Sequence, residues 1–325
     1  MSARAFPAAV LVGWLVWSGT IFAEATDDPV HWLERMSAAM SQMDYQGTFV
    51  YLQGEDVATM RITHIADDAG IRERLVAMSG PPREVLRDSD GIRWVLGDSH
   101  SVLADQAFNR SFFPQLPIDH QGQTQRCYDL TLGESGRVAG QAVRSVSVLP
   151  KDDYRYGYVL WLEKRSALLL KWELIDRSRK PLATLMFTDF RMGSEVDPSE
   201  LLPSSQLKKF KTLESRLPSG RGEVTAIPSW RPKTLPPGFE LTDQRFFGQR
   251  DKGMFEHLVY SDGLAAVSVY VESDDGDPER QNGLSRLGTT NAFSRATEGV
   301  LITVIGDVPE ATVRLIANGV SAVRR

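Results

Sequence analysis

The chain has 325 residues, 42% of them hydrophobic and 24% charged, with a formal net charge of −5. That is an ordinary globular composition, too weakly charged to favour nucleic acid as a partner. Its one cysteine, Cys127, excludes an internal disulfide, leaving a buried small hydrophobe or half of a cross-chain disulfide.

Residues 1–25 read as a secretory signal. Arg4 gives a weakly positive start, Ala8 to Trp17 form an uncharged apolar run, and Ala23-Glu24-Ala25 fits small-x-small cleavage after Ala23 or Ala25. The run is shorter than the roughly 20 residues that span a bilayer, and no cysteine follows it to carry a lipid anchor. The mature chain is expected in a bacterial periplasm, with length enough for two domains.

From Pro29 onward Trp32, Leu33, Met36, Met40 and Met43 recur at three- and four-residue steps, which predicts an amphipathic helix. Strand candidates follow. Thr48–Leu52 and Ala58–Ile62 flank Gly54, Ile71–Met78 and Arg83–Arg87 flank Gly80-Pro81-Pro82, and Ile92–Leu96 follows the turn Ser89-Asp90-Gly91. Val143–Leu149, Tyr156–Leu162, Leu168–Ile175 and Leu182–Phe190 continue the series with short polar turns. Strands so closely spaced must be antiparallel, since a parallel crossover needs a dozen residues or more. Gly97 to Gln125 breaks the rhythm while carrying apolar residues, either as a lid across the sheet or as a packed crossing loop. These segments form a domain over residues 26–203.

Residues 204–225 read as a basic linker without strand alternation, carrying Lys208, Lys209, Lys211, Arg216 and Arg221. A second domain, 226–325, opens with Trp230-Arg231-Pro232-Lys233-Thr234-Leu235-Pro236-Pro237-Gly238-Phe239, a proline-stiffened entry into a strand. Met254–Tyr260 and Leu264–Glu272 form a hairpin about Asp262-Gly263, with Val267, Val269 and Val271 on one face. Val300–Ile305 is a further strand, and Pro309 starts a closing helix with Val313, Ile316, Ala317 and Val320 as its stripe. The fold class is α+β.

Catalytic patterns are missing. Gly133-Glu134-Ser135-Gly136-Arg137 lacks the last glycine of a nucleophile elbow and falls between two strand candidates. The five histidines have no i, i+4 pair, and Glu272 to Asp277 cannot be aligned with a calcium loop. No glycine-rich phosphate cradle is present, and Asp152-Asp153 reads as a solvated turn. The expectation is a protein that is not an enzyme and uses no cofactor or metal.

Met43-Asp44-Tyr45-Gln46-Gly47-Thr48-Phe49, Gly80-Pro81-Pro82-Arg83-Glu84-Val85 and Tyr156-Gly157-Tyr158-Val159-Leu160-Trp161 form one half of a pattern. Trp230 to Phe239, Tyr260-Ser261-Asp262-Gly263-Leu264 and Ile302-Thr303-Val304-Ile305-Gly306 form the other. In this order and spacing the chain resembles the MucB/RseB family over its whole mature length. The resemblance implies an unclosed, Lol-carrier-like half-barrel with helices, followed by a smaller α+β domain. It also implies a periplasmic negative regulator that binds the periplasmic region of a membrane anti-sigma factor. The regulator would shield that region from proteolysis and be released by lipid or lipopolysaccharide; a homo-oligomer is compatible with this role. On that basis Trp94, Phe108, Phe112, Phe113 and Trp161 are candidates to line a site for acyl chains, where apolar walls suit the ligand, although large aromatics also serve as core. Phe239, Tyr260, Asp262 and Gly263 are candidates for partner contact at the second domain and the seam between domains, or for fold maintenance. The alternative function is a periplasmic lipid or lipoprotein carrier, for which the second domain and basic linker have no purpose.

Overall fold

The computed structural model describes residues 28–89, 91–96, 101–105, 113, 123–203, 211–214, 229–249, 253–274 and 282–323. Helix α1 (Pro29–Gln42) starts as its sequence dictates: Asp28 accepts a hydrogen bond from the Val30 amide at 3.0 Å, and proline occupies the first turn. Its apolar stripe buries Leu33, Met36 and Ala39.

Eleven strands follow: β1 (Tyr45–Gln53), β2 (Asp56–Asp67), β3 (Gly70–Ala77), β4 (Arg83–Asp88), β5 (Gly91–Leu96), β6 (Ser101–Asp105), β7 (Tyr128–Val138), β8 (Gln141–Pro150), β9 (Gly157–Glu163), β10 (Leu169–Ile175) and β11 (Pro181–Met192). A short helix, α2 (Gln123–Cys127), leads into β7. With β12 (Lys211–Glu214) they make one twelve-stranded sheet, ordered β12-β6-β5-β4-β3-β2-β1-β11-β10-β9-β8-β7. Strand β1 joins the two meanders by pairing antiparallel with β2 on one side and β11 on the other. The end strands β12 and β7 are not paired with each other, so the sheet stays unclosed.

One face of this sheet carries the core. Tyr45 and Phe49, Ile62, Leu75, Val85, Leu185 and Phe187, Leu160, Val146 and Val148 pack in one cluster with Leu33 and Met36 of α1. The centre is tight enough to require glycine: a Cβ on Gly47 would lie 2.5 Å from the Asp189 carbonyl oxygen and 2.6 Å from the Phe187 ring. The register of β1 against β11 slips beside it, between Thr48 and Phe49. On the same face His64 stacks on Tyr45 and bonds to the Met43 carbonyl through Nδ1 at 3.0 Å. Burial lowers its pKa, so it is held neutral.

Three sequence expectations need correction. The segment 97–125 contains β6 and the start of α2, and the linker contains β12, which pairs in parallel with β6. Both strands are short and lie more than 100 residues apart, so local alternation gives no signal for either. Gly133 to Arg137 does not separate two strands but lies inside β7, whose register slips between Leu132 and Ser135.

The C-terminal domain has a six-stranded antiparallel sheet, ordered β14 (Glu240–Gln249), β15 (Gly253–Ser261), β16 (Ala266–Ser273), β19 (Val300–Gly306), β18 (Thr290–Thr297), β17 (Gly283–Leu287). Helix α3 (Glu310–Gly319) covers one face, burying Val313, Ile316 and Ala317 against Val267, Val269, Val271, Ile302 and Val304. Arg295 caps the helix end, donating from Nε to the Ala317 carbonyl and from Nη2 to that of Val320, both at 2.7 Å. The opening motif is sewn to the last described residues, since β13 (Trp230–Pro232) pairs with β20 (Val320–Ala322).

Candidate functional site: the seam between the domains

The two domains meet through the turn that joins β8 to β9. Arg155, whose side chain is 0% exposed, pairs there with the Asp262 carboxylate, itself 1% exposed. Its Nη2 donates to the Pro237 carbonyl at 2.6 Å, and its Nε donates to Asp152 at 3.2 Å. The Tyr128 hydroxyl donates to the same Asp262 oxygen at 2.9 Å. The guanidinium lies over the rings of Tyr128 and Phe239, at 5.4 and 5.1 Å. Burial works against the charge on Arg155, yet Asp262, Tyr128 and Asp152 together hold its pKa above the usual value. Burial likewise raises the Tyr128 phenol, aided by Asp262, so the group remains a donor.

Neighbouring residues of the turn reach other parts of the second domain. The Tyr154 carbonyl accepts from Thr312 Oγ1 of α3 at 2.6 Å, and the Tyr156 hydroxyl accepts from Asn291 Nδ2 of β18 at 3.2 Å. Further along the seam Gln53 Nε2 donates to Thr289 at 2.9 Å. The contact at Pro237-Gly238 is close: Gly238 has φ +79°, and a Cβ there would sit 2.6 Å from Cys127 Sγ. Cys127 is buried, with its thiol directed at the Pro237 carbonyl 3.6 Å away. A short motif rich in proline and glycine is what lets two backbones approach so nearly.

Beside this junction lies a cavity of about 630 Å³ with one wall from each domain. The N-terminal wall is apolar and aromatic, built from Phe49, Tyr51, Leu75, Phe113, Tyr158, Trp172 and Leu185. The second wall comes from the β15–β16 turn (Leu264, Ala265, Ala266) and from Thr289, Thr290, Ile305 and Asp307. Asp307 is the charged residue of the lining, and it accepts from the hydroxyls of Thr289 and Thr290 at 2.9 and 2.6 Å. A space of this size, with an apolar aromatic wall facing a polar one, suits a small amphiphile.

The predicted site residues are distributed unevenly around this geometry. Phe113 is buried on the inner face, edge-on to Phe49 and stacked at 6.0 Å on Phe187, and it lines the cavity. Phe108 and Phe112 lie outside the described residues. Trp94 stands in β5, in register with Val85 and Leu103. Trp161, paired with Lys171, is one residue out of phase with the cavity-lining Tyr158; it packs, partly buried, against the N-terminal core and is not among the residues lining this cavity. The Lys171 ammonium sits 4.0 Å above its ring.

Among the partner candidates, Asp262 and Phe239 are committed to the protein's own seam. Tyr260 is part of the C-terminal core, its phenol pushed up to about 12 by burial. Gly263 has φ +98° and serves the turn, in which Asp262 Oδ1 accepts from the amides of Leu264 and Ala265 at 2.9 and 2.7 Å. Arg155, Tyr128, Asn291 and Thr312 escaped sequence reasoning. The one available hint was Asp152-Asp153-Tyr154-Arg155-Tyr156, a turn unusually rich in aromatic and charged residues. Asp152 in that turn is not simply solvated but braces Arg155.

Comparison with known proteins covers both halves of this architecture. Residues 28–205 match the MucB/RseB N-terminal domain and residues 225–321 the MucB/RseB C-terminal domain. The sigma factor AlgU regulatory protein MucB of Pseudomonas aeruginosa is 32% identical over 303 residues, 91% of this chain and 90% of that protein. The sigma-E factor regulatory protein RseB of Escherichia coli is 24% identical over 318 residues, 97% and 96% of the two chains. A crystal structure of MucB in complex with MucA(peri) superposes with a TM-score of 0.71 at 28% identity, over 92% of this chain and 100% of that one. A Pseudomonas aeruginosa MucA/MucB complex gives 0.72 at the same identity and coverage. Both domains, in this order and over this length, make the chain a member of the MucB/RseB family.

Proposed function

We propose that this protein is a periplasmic regulator that binds the periplasmic region of a membrane anti-sigma factor and slows its proteolysis. The observation that carries this reading is the likeness across both domains to MucB, solved in complex with MucA(peri). A bare carrier would need only the first domain. Here the second domain is fastened to the first by buried, specific contacts, as suits a protein whose two halves act together.

Lipid enters the reading through the interdomain cavity. Its aromatic wall suits an acyl segment, and its position between domains suits a ligand that changes how the partner is held. A ligand shifts such an equilibrium only by its differential affinity for the two arrangements, and a cavity walled by both domains provides that difference.

The test is a reconstituted cleavage reaction, with the anti-sigma factor's periplasmic region, the protease that cuts it, and this protein at saturating concentration. Cleavage should slow several-fold and recover when lipopolysaccharide is added. Unchanged cleavage at saturation sinks the regulator reading. Inhibition that lipopolysaccharide does not relieve leaves the regulator standing and removes the lipid from it.

A further inference from the structure

We propose that Arg155 is a positioning residue, which holds the C-terminal domain in place as the second wall of the cavity. This rests on the reading of the cavity as a ligand site. The interdomain contacts converge on one short turn. Within Asp152–Tyr156, three consecutive residues each reach a different element of the other domain: Tyr154 to α3, Arg155 to the β15–β16 turn and the Pro237 carbonyl, and Tyr156 to β18. The two hydrophobic cores are otherwise separate clusters, bridged where Leu264 packs against the N-terminal one, so this polar junction, together with Leu264, Gln53 and Thr289, sets their mutual position.

The same turn of the second domain serves the clasp and the cavity. Asp262 binds Arg155 through Oδ2, while its Oδ1 holds the amides of Leu264 and Ala265, and both of those residues line the cavity. Moving Asp262 therefore moves part of the wall. Removal of one member of a buried, hydrogen-bonded ion pair leaves the other charge unpaired, so the junction is expected to open rather than relax in place. Occupancy of the cavity and closure of the clasp then become linked equilibria, each favouring the other.

The experiment uses the full mature chain and two variants, Arg155→Ala and Asp262→Asn. The second keeps the side-chain shape and the Oδ1 bonds of the turn. Arg177→Ala, an exposed arginine paired with Asp153 in the same region, is the matched control. Spin labels on Asp68→Cys and Ser285→Cys, both exposed, report the interdomain distance, in a Cys127→Ser background so that the seam thiol cannot be labelled when the junction opens. The neutral dye N-phenyl-1-naphthylamine reports cavity binding.

In Arg155→Ala and Asp262→Asn the distance distribution should broaden and lengthen, and the dye Kd should rise about tenfold or more. Arg155→Lys should recover part of both effects, and Arg177→Ala should show neither. An unchanged distance in both folded variants overturns the proposal. So does a lengthened distance with an unchanged Kd, because the second wall would then not matter to the ligand. Failure of the unsubstituted protein to bind the dye overturns the ligand reading instead, and the distance measurement then decides alone whether Arg155 positions the domain.

Discussion

Single residues show where the fold carries a deliberate cost. Glu256 is 4% exposed; its Oε1 accepts from the Ser229 amide at 3.1 Å and from Gln244 at 3.2 Å, while Oε2 has no hydrogen-bond partner among the described residues. Burial raises its pKa above the ordinary value, partly offset by the hydrogen bonds from Ser229, Trp230 and Gln244. The native state therefore binds this proton more tightly than the unfolded chain, and stability falls as pH rises through the carboxylate range. Glu256→Gln keeps the acceptor at Oε1 and removes the charge. It should stabilise the protein by about 1 kcal/mol at pH 7.5 and by little at pH 4, as read by urea unfolding at both values. An equal effect at the two pH values would show that the charge is not the cause. None of this is legible in the sequence, where Glu256 is one polar residue in an alternating strand. Its burial depends on β13 crossing above it, and β13 is positioned by the far end of the chain.

At the scale of elements the legible part follows the range of the interactions. Helix α1, the hairpins from β1 to β5 and β8 to β11, the Asp262-Gly263 turn and helix α3 are all specified within a few residues, by caps, periodicity and turn signals. Strands β6 and β12 are specified by each other across the chain, and β7 hides behind the glycines at its own irregularity. The site divides in the same way. Asp262 could be singled out as a turn residue, but its partner Arg155 lies 107 positions earlier and no local pattern joins them. Trp161 shows a different limit: its strand is legible, but which residues of that strand line the cavity depends on a phase that the sequence does not give. The irregularity in β1 makes a prediction. Gly47→Ala must displace either the Asp189 carbonyl or the Phe187 ring, neither of which is free to yield in a packed core. It should cost about 2–3 kcal/mol, seen as a lower urea midpoint with an unchanged slope. A midpoint unaltered from wild type would mean that β11 moves freely against β1.

For the whole molecule, two cores joined by a polar junction imply two units of stability coupled at the seam. Calorimetry on the unsubstituted chain should give one dominant transition, because removal of one partner of a buried pair costs about 3–5 kcal/mol. In Arg155→Ala that coupling is lost, and the endotherm should split into two. A single endotherm, merely shifted, would locate the coupling in the other seam contacts.

The pairing of β12 with β6 changes how the second domain is tethered. The connection does not begin at the end of the first domain's last meander strand but at Glu214, anchored on the sheet edge, and it ends at Trp230. Whatever path it takes, that stretch cannot reach beyond about 55 Å. A domain confined to such a radius meets its own docking face at an effective concentration on the order of a millimolar. Once opened, the seam should close again far more readily than two separate molecules could associate at cellular abundance. Any signal that keeps it open must occupy a surface, not merely break a bond.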